Sequence, residues 1–258
     1  MSNQYGIKEV LNMQFLDLNT NEPLFYIDYA QNTTTENAGE RLFLNGGQGN
    51  YRLLSFDHTK TSTLKLTVPL VDINLLAMLA GDTIATGAQD VFHREIVTVG
   101  ASGAATLSQT PIAGSIAVFP LVGERDHGTA LTAAAGTPTA GEYKLAGTAL
   151  TVDATEFPSG SKLVAWYQYN TPVTAKKFTM AANKFAQAVK IVGDGLWVDQ
   201  VSEVTVPTKV TYHKAKPQQA FNVAMSADSA TTLELTFDLF AVQQAGGVYS
   251  YYDTVLLA

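Results

Sequence analysis

Cysteine is absent from the 258 residues, so a disulfide framework, a thiolate zinc site and a thiol nucleophile are all excluded. Charge is sparse as well. Asp, Glu, Lys and Arg make up 15% of the chain, against about 25% in typical soluble domains, and a thinly charged, Thr-rich surface suits sheet faces that something else will cover. The 16 basic residues are outnumbered by 23 acidic ones, for a formal charge of −7. That balance disfavours holding a phosphate backbone, which needs clustered Lys and Arg to displace counterions. It does not disfavour DNA passing along a repelling wall.

Histidine is scarce, and His58, His93, His127 and His213 lie far apart without the i, i+4 spacing of a helical zinc motif. Apolar runs such as residues 73–80 fall far short of the roughly 20 residues that span a bilayer. The opening MSNQYGIKEVLNMQF has neither the basic nor the continuous apolar region of a signal peptide. Gly46, Gly47 and Gly49 have no downstream Gly-Lys-Ser/Thr, and Ser102 in Gly-Ala-Ser-Gly lacks the second half of a nucleophile elbow. Glu124-Arg125-Asp126 reads as a solvated tip. The expectation is a non-enzymatic chain in a soluble compartment, with no cofactor, no metal and no membrane insertion.

What is present is β pattern. Residues 10–18 and 24–30 flank Asn19-Thr20-Asn21-Glu22-Pro23 and read as a hairpin. A short strand at 41–44 ends in Asn-Gly-Gly-Gln-Gly-Asn, and strands at 51–56 and 61–70 follow. In the second of these Leu64, Leu66 and Val68 alternate with Thr63, Lys65 and Thr67, which gives one buried and one wet face. One short helix is expected at 73–79, with Asp72 as N-cap and Gly81 as its stop.

From about Val97 the strands become short and are cut by Gly and Pro, down to a strand at 162–169, which predicts a small β-sandwich with Trp166 and Tyr167 in its core. Longer strands return at 177–180, 186–191, 196–206, 209–212, 220–224 and 232–242, with Val192-Gly193-Asp194-Gly195 read as a hairpin turn. The predicted organisation is mainly β: a host domain at 1–96 and 174–258 with one short helix, interrupted at 97–173 by the sandwich. Tyr249, Tyr251 and Tyr252 fit a subunit contact or the packing of their own strand equally well.

The run Lys176-Lys177-Phe178, then residues 189–196 (VKIVGDGL), Val206-Pro207, residues 213–217 (HKAKP), Phe221-Asn222-Val223 and residues 233–239 (LELTFDL) resembles the major tail, or tail tube, proteins of tailed bacteriophages. Residues 105–111 and 164–169 resemble Ig-like sandwiches inserted in such proteins. The resemblance implies subunits joined edge to edge, six to a ring, with stacked rings forming the tube through which DNA passes as unbound cargo. It implies copies of the chain and other virion tail proteins as partners, a place in the virion tail, and synthesis in the host cytoplasm.

On that reading residues 51–56 and 61–70 would line the lumen, while the segment 2–11 and a loop at 31–41 would join rings. The interface candidates are Tyr5, Ile7, Leu64, Leu66, Val68, Tyr249, Tyr251 and Tyr252, and the inserted sandwich would project outward. The competing expectations are capsid decoration or a head-tail connector, and a carbohydrate-binding adhesin module.

Overall fold

A computed structural model of the chain describes residues 4–223, 226 and 232–257. The chain divides into two compact units, Met1–Ile84 with Phe178–Ala258, and Ala85–Lys177. Unit 1 opens with β1 (Tyr5–Asp17), β2 (Pro23–Ile27), β3 (Asn32–Gly46), β4 (Tyr51–Val68) and the helix α1 (Ile73–Ala80). Unit 2 contains β5 (Ala85–Thr86), β6 (Asp90–Thr98), β7 (Ala104–Thr106), β8 (Ala117–Val122), β9 (Asp126–His127) and β10 (Thr132–Ala133). It continues with β11 (Glu142–Ala146), β12 (Ala149–Val152), β13 (Lys162–Asn170) and β14 (Lys176–Lys177). Unit 1 resumes with β15 (Val189–Asp199), β16 (Thr205–Pro217), β17 (Leu233–Leu239), β18 (Val242–Gln243), β19 (Tyr249–Ser250) and β20 (Tyr252–Leu256). The protein is mainly β with one short α-helix among the described residues.

Unit 1 is built on one sheet in the order β2-β1-β15-β16-β17-β4-β3, with β20 also on β16. β16 gives residues 208–212 to β20 and residues 215–217 to β17. The sheet curls so that distant strands meet: the Leu11 amide of β1 donates to Thr33 Oγ1 of β3 at 3.2 Å. Inside the curl the period-2 alternation of β4 points Leu64, Leu66 and Val68 inward, and that of β17 does the same with Leu233, Leu235 and Phe237. They share a core with Met13, Phe15, Ile191 and Tyr212, and Phe15 stacks on Phe25 at 4.5 Å. Each such side chain contributes about 1.5–3 kcal/mol by leaving water.

The helix behaves as its sequence predicts. The Asp72 carboxylate accepts from the Asn74 amide, and Gly81 ends the helix at φ +66°. A Cβ at Gly81 would sit 2.5 Å from the backbone of Phe185, so glycine is needed there both for conformation and for space.

Several expected elements differ. Gly193 and Gly195 lie within the continuous strand β15, not in a hairpin turn. A Cβ at either would press on Leu11, at 3.0 Å from Gly193 and 2.7 Å from Gly195, so these glycines serve a close approach. Residues 31–41, expected as a loop, are almost wholly strand: Thr33, Thr34 and Thr35 pair with Leu66, Lys65 and Leu64, a setting that β-branched side chains favour. Strands expected separately at 51–56 and 61–70 are one 18-residue strand. Residues 220–223 are not strand, and Ala224, the end of that expected strand, lies outside the described residues.

Unit 2 has two four-stranded sheets, β10-β11-β12-β7 and β6-β13-β8-β9. Tyr143, Leu150 and Val152 of one sheet share a core with Val97, Val118, Leu163 and Tyr167 of the other. The unit begins at Ala85 rather than at 97, because β6 pairs along its whole length with β13, from Asp90↔Asn170 to Thr98↔Lys162. Tyr167 is fully buried, while Trp166 faces outward at 43% exposure with the Arg94 guanidinium 5.5 Å from its ring.

Candidate self-assembly surface

A nucleophilic site would need a base poised on a hydroxyl and an acid on the base. One arrangement of this kind is in unit 2, where Ser108 Oγ lies 3.4 Å from His93 Nε2. Glu95, however, accepts from the Ser108 amide at 3.0 Å and from the Tyr167 hydroxyl at 2.5 Å. Its carboxylate therefore ties β6 and β13 to the start of the β7–β8 connection and does not orient the imidazole. Burial pushes the Tyr167 phenol up, and the Glu95 hydrogen bond adds to that shift. No group of three or more potential ligand side chains that could hold a metal occurs among the described residues. No helix among them is long and apolar enough to cross a membrane.

The feature that stands out is the β3–β4 ribbon. Its base is in the core, and beyond the base it runs on as a two-stranded arm to the turn at residues 47–50, where Gly47 and Gly49 take positive φ. Four hydrogen bonds fasten the base. Tyr212 Oη and Thr35 Oγ1 are 2.7 Å apart, and Ser62 Oγ donates to Asn37 Oδ1 at 2.8 Å. Asn37 Nδ2 donates to Tyr252 Oη at 2.9 Å, and Tyr251 Oη donates to the Lys60 carbonyl at 2.6 Å. Burial pushes the Tyr212 phenol up, with the Thr35 hydrogen bond opposing that shift.

Outward of this collar the arm is held by pairs within itself. Arg41 and Asp57 face each other in a bidentate pair at 2.5 and 3.1 Å, and that hydrogen bond holds the Asp57 carboxyl below the usual carboxylate range. His58 Nδ1 lies 3.5 Å from Glu40 Oε2. Then come Leu42 opposite Phe56 and Leu44 opposite Leu54, with Phe43 on the other face. Leu42, Phe43, Leu44, Tyr51, Leu53, Leu54 and Phe56 are all exposed. The arm thus offers apolar side chains on both faces of a ribbon that two strands alone hold only marginally. β3 also ends the strand order, so no strand among the described residues pairs with its outer edge.

The sequence-derived interface candidates separate on this geometry. Leu64, Leu66 and Val68 lie in the protomer's own core, because their face of β4 points into the curl of the sheet. Tyr251 and Tyr252 are half-buried and brace the arm. Tyr5 is half-buried against Trp197, while Ile7 and Tyr249 are 74% and 67% exposed. Ser2 and Asn3, the start of the expected ring-joining segment, lie outside the described residues. The sequence predicts the distal strands at 41–44 and 51–56 but not their continuity with the base, because Glu-Asn-Ala-Gly-Glu and Asp-His-Thr-Lys look like loops. A usable signal was complementary polar side chains on either side of the glycine turn, Arg41 with Asp57 and Glu40 with His58, offset by the one-residue bulge at Leu44/Asn45.

The model of the YomU/Tube protein family matches residues 5–252. No curated protein matches the sequence.

Proposed function

This chain belongs to the YomU/Tube protein family, and from that premise we propose that it is a structural subunit that assembles with copies of itself into a tube. The observation that carries the reading is the arm. Seven large apolar side chains stand exposed on it, and a ribbon wet on both faces gains most from being covered by a neighbour. The outer edge of β3 gives that neighbour a strand to pair with, and closure through neighbours removes the edge. A head-to-tail contact that closes by rotation makes a ring, and stacking extends it.

The resemblance to phage tail tube proteins extends this to rings of six in a virion tail, with other tail proteins at the ends and DNA as passing cargo. The net charge of −7 suits a wall that does not hold DNA. Ile7 and Tyr249 join the arm as interface residues. Negative-stain electron microscopy tests the reading: the full chain forms rings or tubes with a central hole. A variant in which an Asn-Gly turn replaces residues 41–57, joining the paired Glu40 and His58, stays monomeric. Compact monomers of the full chain at every concentration would overturn it.

One observation favours a second role, carbohydrate binding by unit 2. Trp166, Arg94 and Phe92 lie together on the outer face of the β6–β13 pair, an exposed aromatic set with a hydrogen-bond donor beside it. A glycan titration monitored by Trp fluorescence, lost in Trp166→Ala, would support that role, and an unchanged signal across a glycan panel would remove it.

A further inference from the structure

Where the tip of the arm goes can be argued from charge and reach. Within residues 42–56 the single charged side chain is Arg52. Its guanidinium lies 3.8 Å from the centre of the Phe43 ring, which fixes the cation on an apolar platform. The tip is therefore an apolar knob with one positive charge.

A cavity of about 740 Å³ in unit 1 has the opposite character. It opens where β1 bulges: residues 9–11 face Gly195 alone, between the pairs Lys8↔Leu196 and Asn12↔Asp194. Glu9 sits at φ +73° in that bulge, and Leu11 turns in over Gly193 and Gly195, leaving space beside it. Val10, Pro207 and Leu257 supply apolar wall, while Glu9, Asp28 and Asp194 supply acid. Lys209 answers Asp194 at 2.6 Å, so among the described lining residues Glu9 and Asp28 are left in excess. Exposed Ile7 and Val255 stand on the strands that frame this region and continue the apolar surface.

We propose that the Phe43–Arg52 tip of one copy seats in this bulge cavity of the next, with Arg52 directed at Glu9 and Asp28. The inference rests on the tube reading and names its acceptor. Reach makes the contact one between copies: from the Asn37–Ser62 rung to the turn, about ten residues at roughly 3.3 Å each carry the tip some 30 Å from the collar. The acceptor lies beside the root of the same ribbon, where Gln31 lines it and the Leu11 amide meets Thr33, so the 15 extended residues of β3 hold a protomer's tip at the opposite end of the ribbon from its own cavity.

The absence of native cysteine makes cross-linking clean. Gln48→Cys at the tip with Gln31→Cys at the cavity wall should give a disulfide ladder of multimers on assembly. Arg52→Glu should raise the concentration needed for assembly about tenfold, since it sets like charges together. Glu9→Arg with Asp28→Lys should do the same, and combining all three substitutions should restore assembly. If the cysteine variant assembles without a ladder, or the combined variant assembles no better than Arg52→Glu, the cavity is not the acceptor. The tube reading then stands on the loss of assembly in the arm-shortened variant. If the full chain never assembles, both fall.

Discussion

The two halves of the β3–β4 ribbon share a backbone and differ in everything that surrounds it. At the base, Thr33 pairs with Leu66 and Thr35 with Leu64, the leucines enter the core, and hydroxyls of Tyr212, Tyr251 and Tyr252 fasten the ribbon. At the distal end the same antiparallel pairing continues, yet Leu54 is 53% exposed where Leu66 is 1% exposed. Strand pairing alone therefore does not determine how firmly a strand is held. The cover over its side chains does, and the distal half has its cover in another molecule on the tube reading.

The largest expected contrast comes from truncating one leucine in each half. Leu66→Ala should cost the protomer about 2–5 kcal/mol through lost burial and a residual cavity, read as a fall in the urea midpoint. Leu54→Ala should leave that midpoint within about 0.5 kcal/mol of the parent while weakening assembly. Equal effects of the two on protomer stability would break the comparison.

A smaller effect is expected at the collar. Tyr212→Phe removes a buried hydroxyl and its 2.7 Å contact with Thr35, a loss of about 1 kcal/mol. Hydrogen exchange should quicken in residues 33–37 and leave the ladder between β1 and β15 unchanged. Protection lost evenly across the sheet would mean that the collar has no special hold on the arm.

The smallest effect is a local one with pH. Arg41 holds the Asp57 carboxyl below its usual range, and a depressed folded pKa contributes above the unfolded value, about 3.9. That contribution is lost as pH falls through the lowered folded value. Protection factors of the amides around 41 and 57, corrected for the intrinsic exchange rate at each pH, should therefore fall in acid, beyond the change seen at the base. Asp57→Asn should reproduce the loosened state at pH 7. An arm equally protected in acid and at neutral pH would show that the pair is dispensable.

Much of unit 1 was legible because its signals are local. Asp72 and Gly81 bracket the helix by cap and left-handed stop, and the alternation of Leu64, Leu66 and Val68 marks a buried face wherever the strand goes. The arm was legible only at its tip, as strands at 41–44 and 51–56 about a glycine turn; its continuity with the base was not, because polar residues opposite one another across a ribbon look, one strand at a time, like two loops. The family resemblance pointed to self-contact and could not say which residues make it.

The sequence by itself determined the β class, the helix and its ends, and the absence of any thiol chemistry, since each follows from residue type and near neighbours. Tertiary structure decided the rest. Gly193 and Gly195 read as a turn or as a place for another side chain with the same letter, and only Leu11 lying against them selects the second. Trp166 and Tyr167 must face opposite ways on a strand, and only the partner sheet determines that Tyr167 is the one inside. Which face is covered depends on residues far away in the chain, and that information has no period along the sequence.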